Sequence, residues 1–445
     1  MKGIIFRRRL FFRAALITFV ILVAGPNARS GDILTMSLDR PMDNVILAGK
    51  DLKAVNGAAI ESLRLMALHN GKLAPIPYQI DEKMPNNEYA LTRPDKSVDR
   101  DDGIFDDNDE LVFMAKDAGD QGDPKAYGLA VKSCDEILLR DPASNDQGWA
   151  YLIAFVANPP PPSSVVYMRY QEFSDHDELT TPYYILRFPK NNVFMSDIVI
   201  REAAGGNNQD ILDRIKMRSG VNMLGGVFSV DRTEEDFVHK VVGVLAGPLR
   251  VIRQTETRLT LVLSLKSPAA VVIGSFYPCC FQFPSMLSLP FRMDMIASDA
   301  FMRQGWDLNR NALGLKFYSN LCPQGVNLDG KMSPAERNLA ASQETLLWAL
   351  GTGPQGTFMF KGIWNQKAPI KARLYYEDDL SRLEPPEEDP GVMGIAYQLE
   401  DLLKMGGDEY PFNIVNYTVP NFDGNFKKAL RVFDDPLETS IASSR

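Results

Sequence analysis

Histidine is the scarcest chemical resource of this chain: His69, His176 and His239 are all it has in 445 residues. Imidazole acid–base or metal chemistry therefore has three places to sit. Cysteine is nearly as rare, with Cys134, Cys279, Cys280 and Cys322. No C-x-x-C-H stretch occurs, which removes covalently attached haem. No G-x-S-x-G elbow, H-E-x-x-H helix, P-loop or Rossmann glycine pattern is present, and each absence takes a reaction class from the strong candidates. Positive charge is also short. The formal net charge is −9, which argues against nucleic acid or anionic lipid as a partner. No apolar run approaches the ~20 residues that a membrane-spanning helix needs.

What the N-terminus does carry is an export pattern. Lys2 and Arg7-Arg8-Arg9 precede an uncharged apolar run from Ala14 to Ala24, Gly25-Pro26 breaks it, and Ala28 and Ser30 stand at the −3 and −1 positions of a cleavage site. A signal peptide over residues 1–30 is expected, followed by an exported chain, periplasmic or extracellular, that no transmembrane helix retains. Arg8-Arg9-Leu10-Phe11-Phe12-Arg13 also resembles a twin-arginine signal, so general secretion and folded export both stay open. An oxidising compartment with four cysteines predicts disulfides. Sequence neighbours rarely bond to each other, so Cys279 and Cys280 would divide between Cys134 and Cys322, the leading pairing being Cys322 with Cys279 or Cys280.

Side-chain charge is concentrated in Asp99-Arg-Asp-Asp-Gly-Ile-Phe-Asp-Asp-Asn-Asp-Glu110, which holds seven carboxylates in twelve residues. A folded turn that draws such groups together needs water or a cation between them, and calcium takes six to eight oxygens from loops of this kind. With Gly103 as the turn, Asp106 and Asp109 follow at three and six, which resembles half of a thrombospondin type 3 calcium repeat. The same register resembles an EF-hand loop, with Asp102, Asp106 and Asp109 at positions 5, 9 and 12. The upstream half departs from both patterns, so Asp99 and Asp101 serve only in a shortened loop. The resemblance implies a Ca²⁺ site made of Asp99, Asp101, Asp102, Asp106 and Asp109; the alternative is a solvated acidic hairpin tip.

A second candidate is Asn327-Leu-Asp-Gly-Lys-Met-Ser-Pro-Ala-Glu336. Asn327, Asp329, Ser333 and Glu336 match EF-hand positions 3, 5, 9 and 12 about Gly330, but Gly325 stands at position 1. Ser333, Pro334 and Glu336 also make a helix-opening capping box that needs no metal. That reading predicts a helix from Pro334 to about Trp348 or Leu350.

Elsewhere the pattern is short alternating strands: Ile76–Ile80, Glu110–Ala115, Glu136–Arg140 and Trp149–Ala157, with only Gly57–Leu68 weakly helical. The four prolines Pro159–Pro162 make a stiff extended segment where a boundary is natural. Beyond it, Val241–Leu245 and the long alternating run Leu249–Leu265 are the strongest strand signals, Tyr397–Lys404 reads as a helix, and Phe412–Val419 returns as a strand. The chain past its signal, about 415 residues, exceeds what one core usually serves. The expected fold is mainly β: an N-terminal β-sandwich over 31–158, a Pro-rich linker over 159–164, and a larger twisted β-sandwich or supersandwich with one or two helices over 165–445. The length of the Leu249–Leu265 run resembles the supersandwiches of mutarotase-like and polysaccharide-lyase domains. An outer-membrane barrel is the alternative, but Arg253 would interrupt its apolar outward face.

For function, the sequence supports an exported β-rich binding or accessory protein of the cell envelope, calcium-stabilised and binding a glycan or another envelope protein. Tyr167, Tyr170, Tyr183, Tyr184, Trp306 and Trp364 are candidate sugar-stacking platforms. The enzymatic alternative is a polysaccharide-active enzyme, mutarotase-like or a lyase; as a lyase, Arg250 would neutralise an acidic sugar and His239 would take its proton.

Overall fold

Two stacks of antiparallel sheets account for most of the chain, which is 50% strand and 11% helix. The computed structural model describes residues 34–444, except 224–227, 261–265, 268, 289–291, 296, 366, 388–389 and 407. The expected signal peptide lies outside the described residues.

In the first stack, Asn44–Ala48, Glu110–Met114 and Gln79–Asp81 form one sheet with Glu110–Met114 in the middle. The facing sheet runs in the order Glu438–Ser444, Val131–Arg140, Gln147–Phe155, Leu63–His69, Lys72–Pro75. Val45, Leu47, Leu111 and Phe113 from the first meet Leu63, Leu65, Ile137, Leu139 and Leu152 from the second in one buried cluster. That is the period-two burial a strand with one covered face requires. Leu63–His69 corrects the helix expected over Gly57–Leu68: Leu63, Leu65 and Ala67 all pack on this core, and packing overrides the weak local preference. The last strand was expected to complete the second unit; it pairs instead along Val131–Arg140. Residues 158–168, which include the tetraproline segment, form neither helix nor strand.

The second stack is larger. Its nine-stranded sheet runs Phe237–Ala246, Val251–Leu259, Ala270–Phe276, Cys280–Ser288, Glu409–Thr418, Gly356–Trp364, Ala349–Gly353, Lys316–Ser319, Cys322–Asn327. Its five-stranded sheet runs Phe228–Thr233, Leu212–Met223, Ala297–Leu308, Gly394–Glu400, Lys371–Tyr376. Each sheet ends in edge strands, so no closed barrel forms among the described residues. The long run is corrected too. Its described strand is Val251–Leu259, and Thr260 pairs antiparallel with Lys266; 261–265 lie outside the described residues. Gly394–Glu400, followed by a single 3₁₀ turn at Leu402–Lys404, replaces the helix expected over Tyr397–Lys404.

No disulfide joins the cysteines. Cys134 packs in the first stack, Cys279 and Cys280 in a cluster beneath Tyr417, and Cys322 on an edge strand. Cys134, the Cys279–Cys280 neighbours and Cys322 thus lie in three separate packing environments. Burial pushes the Cys134 and Cys279 thiols up to about 12, so both stay protonated and unreactive.

Candidate functional site

The acidic stretch is held by protein partners. Asp99 pairs with Arg93, its Oδ2 at 2.7 Å from Nη2. Asp102 Oδ1 accepts from the Ile104 amide at 2.8 Å, and Asp106 Oδ1 from the Asn108 amide at 3.0 Å. Asp109, fully buried, accepts from the amides of Lys83 and Asp106. Gly103 has φ +73°, the left-handed turn expected of it, and its amide donates to Glu82. Asp101 is partly exposed. No three of these side chains bring ligand atoms within 4.8 Å of one another. As arranged, they do not fit a calcium ion, which needs convergent oxygens. Burial, with Asp106 and Glu82 nearby, pushes Asp109 up to about 6 although two amides oppose it.

The second loop is a helix start. Ser333 and Glu336 complete the capping box and Pro334 opens the helix, which ends at Ala340, short of the expected Trp348. Glu336 also accepts from Tyr376 Oη at 2.8 Å. The turn itself is held by the fully buried Asp378, which accepts from the Asp329 and Gly330 amides at 2.8 and 2.9 Å. Gly330, at φ +82°, makes that turn possible. Asn327 ends its strand opposite Lys316.

His239 and Arg250 are not brought together. His239 faces Thr257 across the ladder, whereas Arg250 precedes Val251 at the ladder's other end. That is some ~20 Å at the strand rise. Arg250, 1% exposed, ties the two stacks: its Nη2 lies 2.7 Å from Glu110 Oε2, its guanidinium pairs with Asp81, and Gln79 binds its backbone. Glu110, the last carboxylate of the acidic stretch, is thus its counter-ion. His239 Nδ1 lies 3.0 Å from Thr257 Oγ1, and burial with the Arg253 charge nearby lowers the ring to about 4.

The larger stack holds what local sequence did not reveal. Trp306 packs between the sheets, stacked on Phe281 and tilted against Phe358 and Phe360, with its ring 4.7 Å from that of Phe358. Past this plug the sheets separate. Burial falls along Gly356–Trp364 from buried at Phe360 to part-exposed at Trp364, and along Gly394–Glu400 and Glu409–Thr418 toward the same end. Between them lies a cavity of about 320 Å³. Its walls are the inward positions of alternating strands: Phe360 and Trp364; Phe412, Ile414 and Asn416; Ile395, Tyr397 and Leu399; Met302 and Trp306; Ile215 and Met217. Among the described residues, no charged side chain lines it. Of the six aromatic residues proposed from sequence, only Trp306 and Trp364 face it. Asn416 is 2% exposed and gives its amide to Phe281 O at 3.4 Å, leaving Oδ1 buried without a partner; Trp364 Nε1 is likewise buried and unpartnered. Unmet polar groups of this kind are costly in an apolar setting.

A polar cleft of about 810 Å³ opens elsewhere on the larger stack. Asp213, Asp307 and Glu387 meet beside it, with ligand atoms within 4.8 Å. Lys216 already supplies a cation to two of them: its Nζ lies 2.6 Å from Asp307 and 2.9 Å from Glu387. Burial would lower this ammonium, yet the carboxylates raise it, so Asp307, Glu387 and Lys216 form an ion network, while the exposed Asp213 pairs with Arg214. Asp307, Lys216 and Glu387 lie far apart in the chain, and no spacing rule gathers them.

No family profile matches the chain, and no curated protein matches it. Among solved structures, the protein titled "Crystal Structure Analysis of HI1317" aligns at TM-score 0.26 and 10% identity, over 56% of this chain and 99% of that one. A likeness this loose carries no argument.

Proposed function

We propose that the protein is an exported, non-catalytic binding protein that takes an apolar ligand between the sheets of its larger stack. The cavity carries this reading. Protein interiors are close-packed with few voids larger than a water molecule, whereas about 320 Å³ stands here behind an aromatic wall. Pockets of this size, mostly apolar with a few placed polar groups, are the usual form of a small-molecule site. The lining favours an apolar body over a glycan, because Thr257, Ser285, Gln304, Asn365 and Asn416 offer few hydrogen bonds for a molecule covered in hydroxyls. Catalysis has less support: Arg250 is fully engaged between Asp81 and Glu110.

The test is a fluorescence titration of the purified chain, residues 31–445, with 1-N-phenylnaphthylamine. Saturable binding of one probe per chain, with quenching of tryptophan emission, is the expected result. No saturable signal, or one unaffected by filling the cavity, refutes the proposal.

A further inference from the structure

We infer that the ligand is an uncharged, elongated amphiphile whose hydrogen-bond donor, a neutral hydroxyl, is received by Asn416 Oδ1 at the cavity floor. This rests on the binding reading above and adds the ligand's chemical class and orientation. Three observations carry it. First, the cavity has no charged side chain in its lining among the described residues, and a carboxylate or phosphate taken into such a place without a counter-charge meets a desolvation cost that burial of its chain does not offset. Second, Asn416 is an almost completely buried side chain of the lining whose oxygen accepts nothing. One end of its amide is fixed on Phe281 O, which leaves the other as the acceptor. A hydroxyl satisfies it; an ether or alkane does not.

Third, the polar groups are spaced along one direction. Asn416 stands opposite Phe360 in the ladder, and Trp364 opposite Phe412. Trp364 Nε1 therefore sits four residues nearer the open end, ~13 Å along the strands at the usual rise. Between the two levels the wall is mostly apolar, with Phe360, Ile414 and Tyr397, and Gln304 opposite Tyr397 is the polar residue nearest them. A chain-like body fits this spacing with its donor at the floor and its far end beside the Trp364 ring. A compact polar ligand fits neither the spacing nor the wall.

The experiment is competition against bound 1-N-phenylnaphthylamine by three molecules with the same dodecyl chain: 1-dodecanol, its methyl ether, and dodecanoate. In the unaltered protein, dodecanol is expected to displace the probe about tenfold better than the ether, the size of one well-made hydrogen bond, and dodecanoate to compete least. Asn416→Leu is expected to remove the alcohol's advantage while the probe still binds. Equal competition by alcohol and ether in the unaltered protein overturns this inference and leaves the cavity reading standing; preferred binding of dodecanoate overturns it as well. Failure of the probe to bind at all overturns the reading beneath it. The alcohol-to-ether ratio needs no variant, so an unstable Asn416→Leu leaves the test intact.

Discussion

The acidic stretch Asp99–Glu110 and the cavity wall are opposites in how chain and structure relate. In the first, seven carboxylates crowd into twelve consecutive residues, and the fold gives them amides, Arg93, Lys83 and Arg250 as partners. In the second, the contributing residues are scattered from Val193 to Asn416, and two buried polar atoms are left unmet. Density of chemistry in sequence marks a segment that must solve its own electrostatics. A site for something else shows up as unmet need in the folded state.

The sharpest way to break this comparison is at Arg250. Arg250→Ala leaves Asp81 without its cation and Glu110 with Lys83 alone at the seam of the two stacks, and losing one partner of a buried pair costs about 3–5 kcal/mol. A urea midpoint shift corresponding to that loss is expected. A loss below about 1 kcal/mol would mean that the acidic stretch is held by other means. Filling the cavity comes next. Ile414→Trp places a large ring in its middle and is expected to weaken probe binding at least ~10-fold, equivalent to ~1.4 kcal/mol, with the melting temperature held or raised. Unchanged binding would place the probe elsewhere.

Acid titration sharpens the comparison through two groups of opposite sign. Asp109 titrates at about 6 in the fold against an ordinary 3.8, so the folded state takes its proton first and its contribution grows as pH falls through 6, complete below 3.8. His239 titrates at about 4 against an ordinary 6.5; the unfolded state takes that proton first, and stability is lost as pH falls from 6.5 toward 4. Asp109→Asn should therefore steepen the loss of stability between pH 7 and 4, and His239→Phe should flatten it. Urea midpoints at several pH values decide this, and matching slopes in all three proteins would contradict it. The smallest effect is expected from metal removal. A calcium ion at 100 times its dissociation constant adds about 2.7 kcal/mol; the loop as folded gives no reason for any difference between melts in calcium and in EDTA. A calcium-dependent rise would show that the carboxylates rearrange around an ion.

Much of the β architecture was legible because it is written locally. Alternation marked Glu110–Met114 and Glu409–Thr418 closely, and Ser333, Pro334 and Glu336 announced a helix start that the fold contains. What failed depended on partners distant in the chain. Leu63–His69 joins a sheet because Gln147–Phe155 and Lys72–Pro75 flank it, and Gly394–Glu400 because Ala297–Leu308 and Lys371–Tyr376 do. Arg250 looked like a catalytic cation because only the fold reveals Asp81 beside it. Asn416 looked like one polar residue in a strand. Nothing in its neighbours tells that Phe281 holds one end of its amide while the other is buried without a partner.

The most direct measurement is a crystal structure of the protein soaked with 12-bromo-1-dodecanol, read by bromine anomalous scattering. The account predicts one bromine peak near Trp364 and Phe412 at the open end, with the hydroxyl within hydrogen-bond distance of Asn416 Oδ1. A cavity closed by rearranged side chains, or bromine bound only outside the two sheets, would contradict it.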